Sequence, residues 1–234
     1  MFKEYKKATQ GKTRTKHDEV FTYLTEVPEL KKKRCPASKY EHFLNLEVVE
    51  EALKVNVGYQ LDHLSGLMRS DKNKLSKKDF TNLRYGVDIV AMSTAHIRYV
   101  TFFNFKAKLA TIKCKNARTL MTNLCTLYGL NQLHLDSKAC FESGYFQPGT
   151  PYSELILEAI KQINTDLRPQ IVSLVECLEM PDTYLQSAIG NSYGDIYETH
   201  LKWARESRLN QTKLGDAIPD GYMEYMMPIL KAKM

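Results

Sequence analysis

Apolar residues recur at intervals of three or four along most of the chain, the spacing of one face of an α-helix. The first such series predicts a helix over about residues 46–69. Asn45 precedes it as a candidate N-cap, and Glu47 and Glu50 lie near the positive end of the helix dipole. The series consists of Leu46, Val49, Leu53, Val57, Leu61, Leu64 and Met68.

Two further helices are predicted before residue 131. Ser76 and Asp79 resemble a capping box that opens a second helix, which extends to about residue 108. Its periodic positions are Phe80, Leu83, Val87, Val90, Thr94 and Ile97. The third helix is carried by Ala117, Leu120, Met121, Leu124, Leu127 and Tyr128. Gly129 is expected to end it, and the glycines and prolines of residues 131–151 predict a loop.

The next apolar series predict two helices on either side of Pro169, which suits the first turn of the second one. The fourth helix contains Leu155, Ile156, Ala159, Ile160, Ile163 and Leu167. The fifth is expected to bury Ile171, Val172, Leu174, Val175 and Leu178. A short helical turn over residues 182–189 is predicted to stop at Gly190.

The stretch NSYGDIYETHLKWARESRLN contains the single tryptophan and predicts a helix that begins at Asp195. Asp195 and Glu198 are three residues apart, so each can cap a backbone amide near the other. Tyr197, Leu201 and Ala204 then share one face, which predicts an amphipathic helix docked on the other helices. Because no segment alternates convincingly as a strand, the sequence predicts an all-α, up-and-down helical bundle.

The composition, 43% hydrophobic and 26% charged over 234 residues, is typical of a soluble globular protein with a real core. The formal charge of +6 lies in residues 1–40, which hold eleven basic residues against five acidic ones. We therefore expect a basic leader with short helices and a linker over residues 1–44. The helical bundle is expected over residues 45–210 and a C-terminal tail over 211–234.

The basic run Lys31 to Arg34 has three interpretations: a nuclear address, a phosphate-binding patch or a solvated loop. A nucleic-acid binder using residues 1–40 is one functional hypothesis, although the run lacks the interleaved aromatics on which bases stack. The five cysteines form no CxxC pair, which argues against disulfides and zinc. No secretory signal or bilayer-spanning run is present, so we expect an intracellular protein.

The sequence contains no phosphate-binding glycine loop, no HExxH and no GxSxG motif that would indicate a self-contained active site. His96 follows Ser93 by three residues on the same side of the second helix and could act as a base. A hydrogen-bonded interior histidine is the favoured interpretation, because no carboxylate is locally positioned to orient the ring. His200 and Trp203 share one side of a helix, where packing is the commoner explanation. For Met223, Met226 and Met227, core filling is favoured over a soft binding surface.

Several segments resemble, in order, the C-terminal part of peroxisomal acyl-CoA oxidases. GDIYETHLKWARESRLN is similar to the closing pattern of that family, with Arg208 in place of a proline. SxAHxxY from Ser93, NLCxLYGL from Asn123, LRPQIVSLVE from Leu167 and FKEYKKATQGK are also similar. The matching positions of the closing pattern are Tyr197, Glu198, Trp203, Ala204, Ser207, Leu209 and Asn210.

The last three residues, Ala232, Lys233 and Met234, resemble a conservative variant of the Ser-Lys-Leu peroxisomal import signal, which an import receptor reads. The resemblance therefore implies location in the peroxisome matrix. It also implies a partner, the flavin-bearing oxidase domains or subunit, and a homodimer. It does not imply partnership with nucleic acid, nor a membrane span.

By the same resemblance the complete enzyme uses FAD and O2 to convert acyl-CoA into trans-2-enoyl-CoA and hydrogen peroxide. The family's catalytic glutamate stands in a Tyr-Glu-Gly context that this chain does not match, since Glu4 lies in FKEYKK. We therefore assign no catalytic, cofactor-binding or metal-binding residue and expect no FAD held by this chain alone. The alternative is a non-catalytic helical interaction protein derived from the oxidase domain.

Overall fold

The computed structural model describes residues 2–9, 19–71, 76–207, 210 and 221–232. These residues form two compact units, Met1–Pro169 and Gln170–Met234, called here the first and the second unit. The described residues are helical or irregular and contain no strand, as the sequence predicts. The all-α expectation is confirmed.

The first unit is built mainly from four long helices. Its α-helices are α1 (Phe2–Thr9), α2 (Val27–Leu30), α3 (Leu46–Ser70), α4 (Lys77–Asp79), α5 (Gly86–Leu109), α6 (Lys115–Leu135), α7 (Lys138–Glu142) and α8 (Tyr152–Leu167). Short 3-10 segments cover Glu19–Thr25 and Tyr40–Leu44, and a π-helical turn covers Phe80–Arg84. Helix α3 packs against α5, α6 and α7, and α6 packs against α8.

Helix α3 begins where the sequence predicts, because the Asn45 side chain accepts a hydrogen bond from the Glu47 amide at 2.9 Å. At the next predicted start, the Asp79 amide donates to the Ser76 hydroxyl at 3.1 Å. The second predicted helix is nevertheless interrupted by the π-helical turn before Gly86, so it begins in short pieces and continues as α5.

Two predictions about the next segment are wrong. Helix α6 does not end at Gly129 but continues to Leu135, and α7 lies inside the predicted loop. Gly129 has a packing role: a Cβ atom there would lie 2.4 Å from Val49 Cγ1 and 2.7 Å from Phe102 Cε2. The glycine therefore lets α6 approach α3 and α5 more closely than any larger residue would allow.

The core of the first unit is aromatic at one end. Phe146 stacks on Tyr152 with ring centroids 4.4 Å apart, and Phe43 meets both rings edge-on. The buried face of α8 is the predicted one, with Ile156, Ala159, Ile160, Ile163 and Leu167 all buried. This agreement confirms the fourth predicted helix.

The second unit contains short helices: α9 (Ile171–Glu176), α10 (Asp182–Leu185), α11 (Ile196–Glu206) and α12 (Met227–Lys231), the last preceded by a π-helical turn over Tyr222–Met226. The fifth predicted helix is present, but the prediction that its apolar residues are buried is wrong. Val172 and Leu178 are about two-thirds exposed. The periodicity of α9 is real, yet none of its residues is buried.

Candidate docking surface

Helix α5 carries large apolar residues on two opposite faces. The inner face, which packs on the first unit, holds Met92, Ala95, Tyr99 and Phe102, all buried. The outer face continues from the preceding turn and consists of Leu83, Val87, Val90 and Ile97, with exposures of 80%, 84%, 65% and 64%. We call these four residues the outer stripe.

A helix on the surface of a globular protein has one apolar face, and one that is apolar all round is normally buried on every side. From Leu83 to Ile97 the outer stripe extends over about 21 Å at the helical rise per residue. Aligned exposed apolar residues of this kind mark contact sites for other polypeptide. The outer stripe is therefore a candidate docking surface.

The helix that carries the outer stripe contacts the segment Glu19–Thr25 through His96. On α5 the Nδ1 atom of His96 lies 2.9 Å from the Tyr23 hydroxyl, and Phe21 stacks on the imidazole in parallel at 5.1 Å. Burial lowers the pKa of His96 to about 4 and raises the pKa of Tyr23, so both groups are neutral at pH 7 and share one hydrogen bond. His96 is thus a half-buried histidine whose hydrogen-bond partner is Tyr23, which agrees with the favoured hydrogen-bonded interpretation except that the ring is not fully interior.

The other end of α5 is tied to α3 by charge. The Lys106 ammonium lies 2.5 Å from carboxylate oxygens of both Glu47 and Glu50, and Glu50 also pairs with Lys54 at 3.1 Å. Burial alone would raise the pKa of Glu50, but the hydrogen bond from Lys106 and the charge of Lys54 lower it overall. The almost fully buried Glu50 carboxylate therefore stays ionised and joins the two helices.

The basic run is largely neutralised by neighbouring carboxylates. Lys31 pairs with Asp62, Lys32 with Glu29, and Lys33 with Glu51. The Asp62 carboxylate also accepts a hydrogen bond from Tyr5 of α1 at 2.6 Å. These pairs give the run a role in holding the N-terminal segments on α3.

Two clefts among the described residues are candidate cofactor sites. The first, of about 260 Å³, is lined by side chains of α3, α5 and α7 and by Asp136, which lies between α6 and α7. Its carboxylates are Asp88, Asp136 and Glu142. It is too small for a flavin dinucleotide, and its carboxylates would repel a diphosphate. The second, of about 790 Å³, lies within residues 182–203, and its charged side chains are Asp182, Asp195, Glu198 and Lys202. Three carboxylates against one lysine would repel the diphosphate of FAD. Neither cleft fits FAD.

The described residues contain no cluster of three or more His, Cys, Asp or Glu side chains that could hold a metal ion. All five cysteines are free thiols. Within the same residues, no helix combines the length and the apolar character needed to cross a membrane. Glu4, which does not match the catalytic glutamate of the family, forms an ion pair with Lys7 on α1, with 2.8 Å between Oε1 and Nζ.

The helix that carries the family-like closing pattern, α11, departs from the prediction in two ways. The capping box is absent because the Asp195 carboxylate accepts hydrogen bonds from the Asn191 side chain at 2.5 Å and the Thr199 hydroxyl at 3.1 Å. None of its residues is buried, although the sequence predicts a docked apolar face. His200 and Trp203 are in edge-to-face contact at 5.9 Å, consistent with packing.

The remaining candidates lie near the C-terminus. Ala232 is exposed and follows α12, whereas Lys233 and Met234 lie outside the described residues. The favoured core-filling role of the methionines is wrong for Met223 and Met226, which are 62% and 49% exposed. The sequence did not single out the outer stripe as exposed, since its period is equally typical of a buried face.

Comparison with known proteins identifies the family. The sequence profile described as acyl-CoA oxidase matches residues 45–231. Peroxisomal acyl-coenzyme A oxidase 1 of Arabidopsis thaliana is 29% identical over 218 residues, which are 91% of this chain and 31% of that protein. The koala (Phascolarctos cinereus) protein of the same name is 30% identical over 169 residues, which are 71% of this chain and 24% of that protein.

Solved structures agree. Acyl-CoA oxidase 1 of Arabidopsis thaliana superposes with a TM-score of 0.84 and 25% identity over 100% of this chain and 34% of its own. Acyl-CoA oxidase-1 of Caenorhabditis elegans, complexed with FAD and ATP, gives a TM-score of 0.79 at 19% identity, over 99% of this chain and 35% of its own. The chain thus spans about a quarter to a third of the length of these relatives. It belongs to the acyl-CoA oxidase family.

Proposed function

We propose that this chain acts as the C-terminal helical portion of an FAD-dependent peroxisomal acyl-CoA oxidase. The complete enzyme catalyses the first step of fatty acid β-oxidation, in which acyl-CoA and O2 give trans-2-enoyl-CoA and hydrogen peroxide. This chain packs on the flavin-bearing portion and supports a homodimer. Ala232, Lys233 and Met234 form its import signal, which the peroxisomal import receptor reads.

The outer stripe carries this proposal. Burying a Val, Leu or Ile side chain contributes about 1.5–3 kcal/mol relative to leaving it exposed, so four aligned residues provide a substantial docking energy. The other two-thirds of the related oxidases supply polypeptide to cover the stripe. The close packing of α5 on α3 and α6 presents the stripe as a firm surface.

By itself the chain does not catalyse the oxidation. The clefts among its described residues do not fit FAD, and no glutamate in the chain matches the family's catalytic base. FAD, when bound to the rest of the oxidase, supplies the redox chemistry. The residues of this chain hold the oxidase surfaces in place.

The test is a chimera in which this chain replaces the matching third of Arabidopsis acyl-CoA oxidase 1. We expect it to purify with yellow flavin and to release peroxide with acyl-CoA, whereas the isolated chain does neither. A Val87→Asp/Val90→Asp variant of the chimera should lose at least about tenfold in flavin content or peroxide release, because charge would be buried in the contact. Ala107→Asp, on the same helix outside the stripe, is the matched control.

A chimera without flavin, or a double variant as active as the control, would contradict the proposal. Flavin and acyl-CoA-dependent peroxide release from the isolated chain would contradict the claim of inactivity. The alternative, a separate interaction protein, predicts that the isolated chain binds an intact oxidase in solution.

A further inference from the structure

The second unit has almost no apolar core of its own. Of its described residues, Ala188 is the only apolar one that is buried. By contrast, α8 at the end of the first unit buries six of its sixteen residues. The large exposed apolar residues between 170 and 207 are Ile171, Val172, Val175, Leu178, Met180, Tyr184, Leu185, Ile189, Tyr193, Tyr197, Leu201 and Trp203.

The helices of this unit are also too short to persist unaided. Helices α9, α10 and α11 have six, four and eleven residues, and isolated helices below about 12 residues are marginal in water. The hydrogen bonds of Asn191 and Asp182 are local, joining residues within ten positions of each other. Neither apolar burial nor helix length offsets the backbone entropy lost on ordering this segment.

The charge of the segment limits what can cover it. Residues 170–207 contain six carboxylates, Glu176, Glu179, Asp182, Asp195, Glu198 and Glu206, against Lys202 and Arg205. The resulting net charge of −4 disfavours an anionic lipid surface or a nucleic acid, and it disfavours pairing with the same segment of a second copy. A neutral or basic apolar protein surface fits the segment.

We propose that residues 170–207 form an arm that folds only in contact with the part of the oxidase outside this chain. This inference rests on the proposed function and goes beyond it, because it divides the chain into a self-supporting first unit and a second unit whose order depends on the partner. The part of the oxidase outside this chain is long enough to cover the arm, since about two-thirds of each related oxidase lies outside the matched region. Binding and folding of the arm are then one event.

Hydrogen exchange tests the arm in the isolated chain and in the chimera. In the isolated chain, amides of α3 and α5 should exchange at least about a thousandfold more slowly than unfolded peptide, and those of residues 171–206 within about tenfold of it. In the chimera, residues 171–206 should gain at least about a hundredfold protection. Val172→Asp should abolish that gain without changing the protection of α3, whereas Ser173→Asp, its exposed neighbour on α9, should preserve it.

Strong protection of residues 171–206 in the isolated chain overturns the inference and leaves the proposed function intact. A flavin-containing chimera whose arm stays unprotected overturns the choice of partner. The choice of partner is also overturned if residues 171–206 of the isolated chain become protected when its concentration is raised or when phosphatidylserine vesicles are added. A chimera that fails to bind flavin counts against the proposed function, and the partner assignment falls with it.

Discussion

The Tyr23 hydroxyl lies 2.9 Å from His96 Nδ1, and this hydrogen bond joins the segment Glu19–Thr25 to α5. Because burial lowers the pKa of His96 to about 4, the unfolded chain binds the proton more readily than the folded one between about pH 6.5 and 4. The free energy of unfolding therefore includes the full contribution of the neutral His96 imidazole above pH 6.5. This contribution is lost as the pH falls towards 4.

The free energy of unfolding should fall between pH 7 and pH 4.5 in both the unmodified chain and the His96→Gln variant. We expect the fall to be about 1–2 kcal/mol smaller in the variant. Urea unfolding at several pH values measures the difference. Carboxylates titrate in the same range in both proteins, so the comparison isolates the imidazole. Parallel pH profiles for the two proteins would show that His96 is not buried in its neutral form.

Gly129 is expected to tolerate no side chain. A Cβ atom would press on Val49 and Phe102 at the crossing of α6 with α3 and α5, so Gly129→Ala should cost about 2–3 kcal/mol in the free energy of unfolding. Gly66→Ala is the control, since nothing lies within 4 Å of that position in α3. This control should be neutral or stabilise by up to about 1 kcal/mol. Equal effects would contradict the close helix crossing.

Removing the charge of Lys106 should destabilise the chain by about 1–3 kcal/mol, because Glu50 would keep its burial but lose one of its two cationic partners. Glu50 has a lowered pKa in the folded state, so its contribution is present above the unfolded value and lost as the pH falls. Lys106→Met should therefore also move acid unfolding to higher pH. Lys161→Met, which breaks an exposed pair with Glu158, should change stability by less than about 0.5 kcal/mol.

The five thiols should separate into two reactive and three protected ones. Cys114 and Cys177 are exposed, whereas Cys35, Cys125 and Cys140 are buried. Burial raises the pKa of Cys125 to about 11, so very little of the reactive thiolate is present at pH 8. Thiol titration of the native chain should give two rapid equivalents, and the other three should appear on unfolding. A third rapid equivalent would contradict the described core.

The long helices were predictable because caps and periodicity are local properties of the sequence. Asn45 caps α3 as expected, and α8 buries the predicted face. Gly129 misled the prediction because a glycine that ends a helix and one that permits a close crossing look alike in a single sequence. Only the positions of Val49 and Phe102 distinguish the two roles.

The docking surface could be predicted only in part. Periodicity places Val87, Val90 and Ile97 on one face of a helix, but it does not say whether that face meets the same chain or another one. The same ambiguity explains why the residues of α9 were expected to be buried. The division into residues 1–44, 45–210 and 211–234 stays a prediction, as does the import signal.

The most direct test of the account is the reactivity of a thiol placed at Val90, in a chain whose exposed Cys114 and Cys177 are changed to serine. In the isolated chain the Val90→Cys thiol should be labelled rapidly, because this position is 65% exposed. In the flavin-containing chimera with the rest of the oxidase, labelling should slow by at least about a hundredfold as the outer stripe is covered. Equal labelling rates in the two proteins would contradict the claim that this helix meets the flavin-bearing portion.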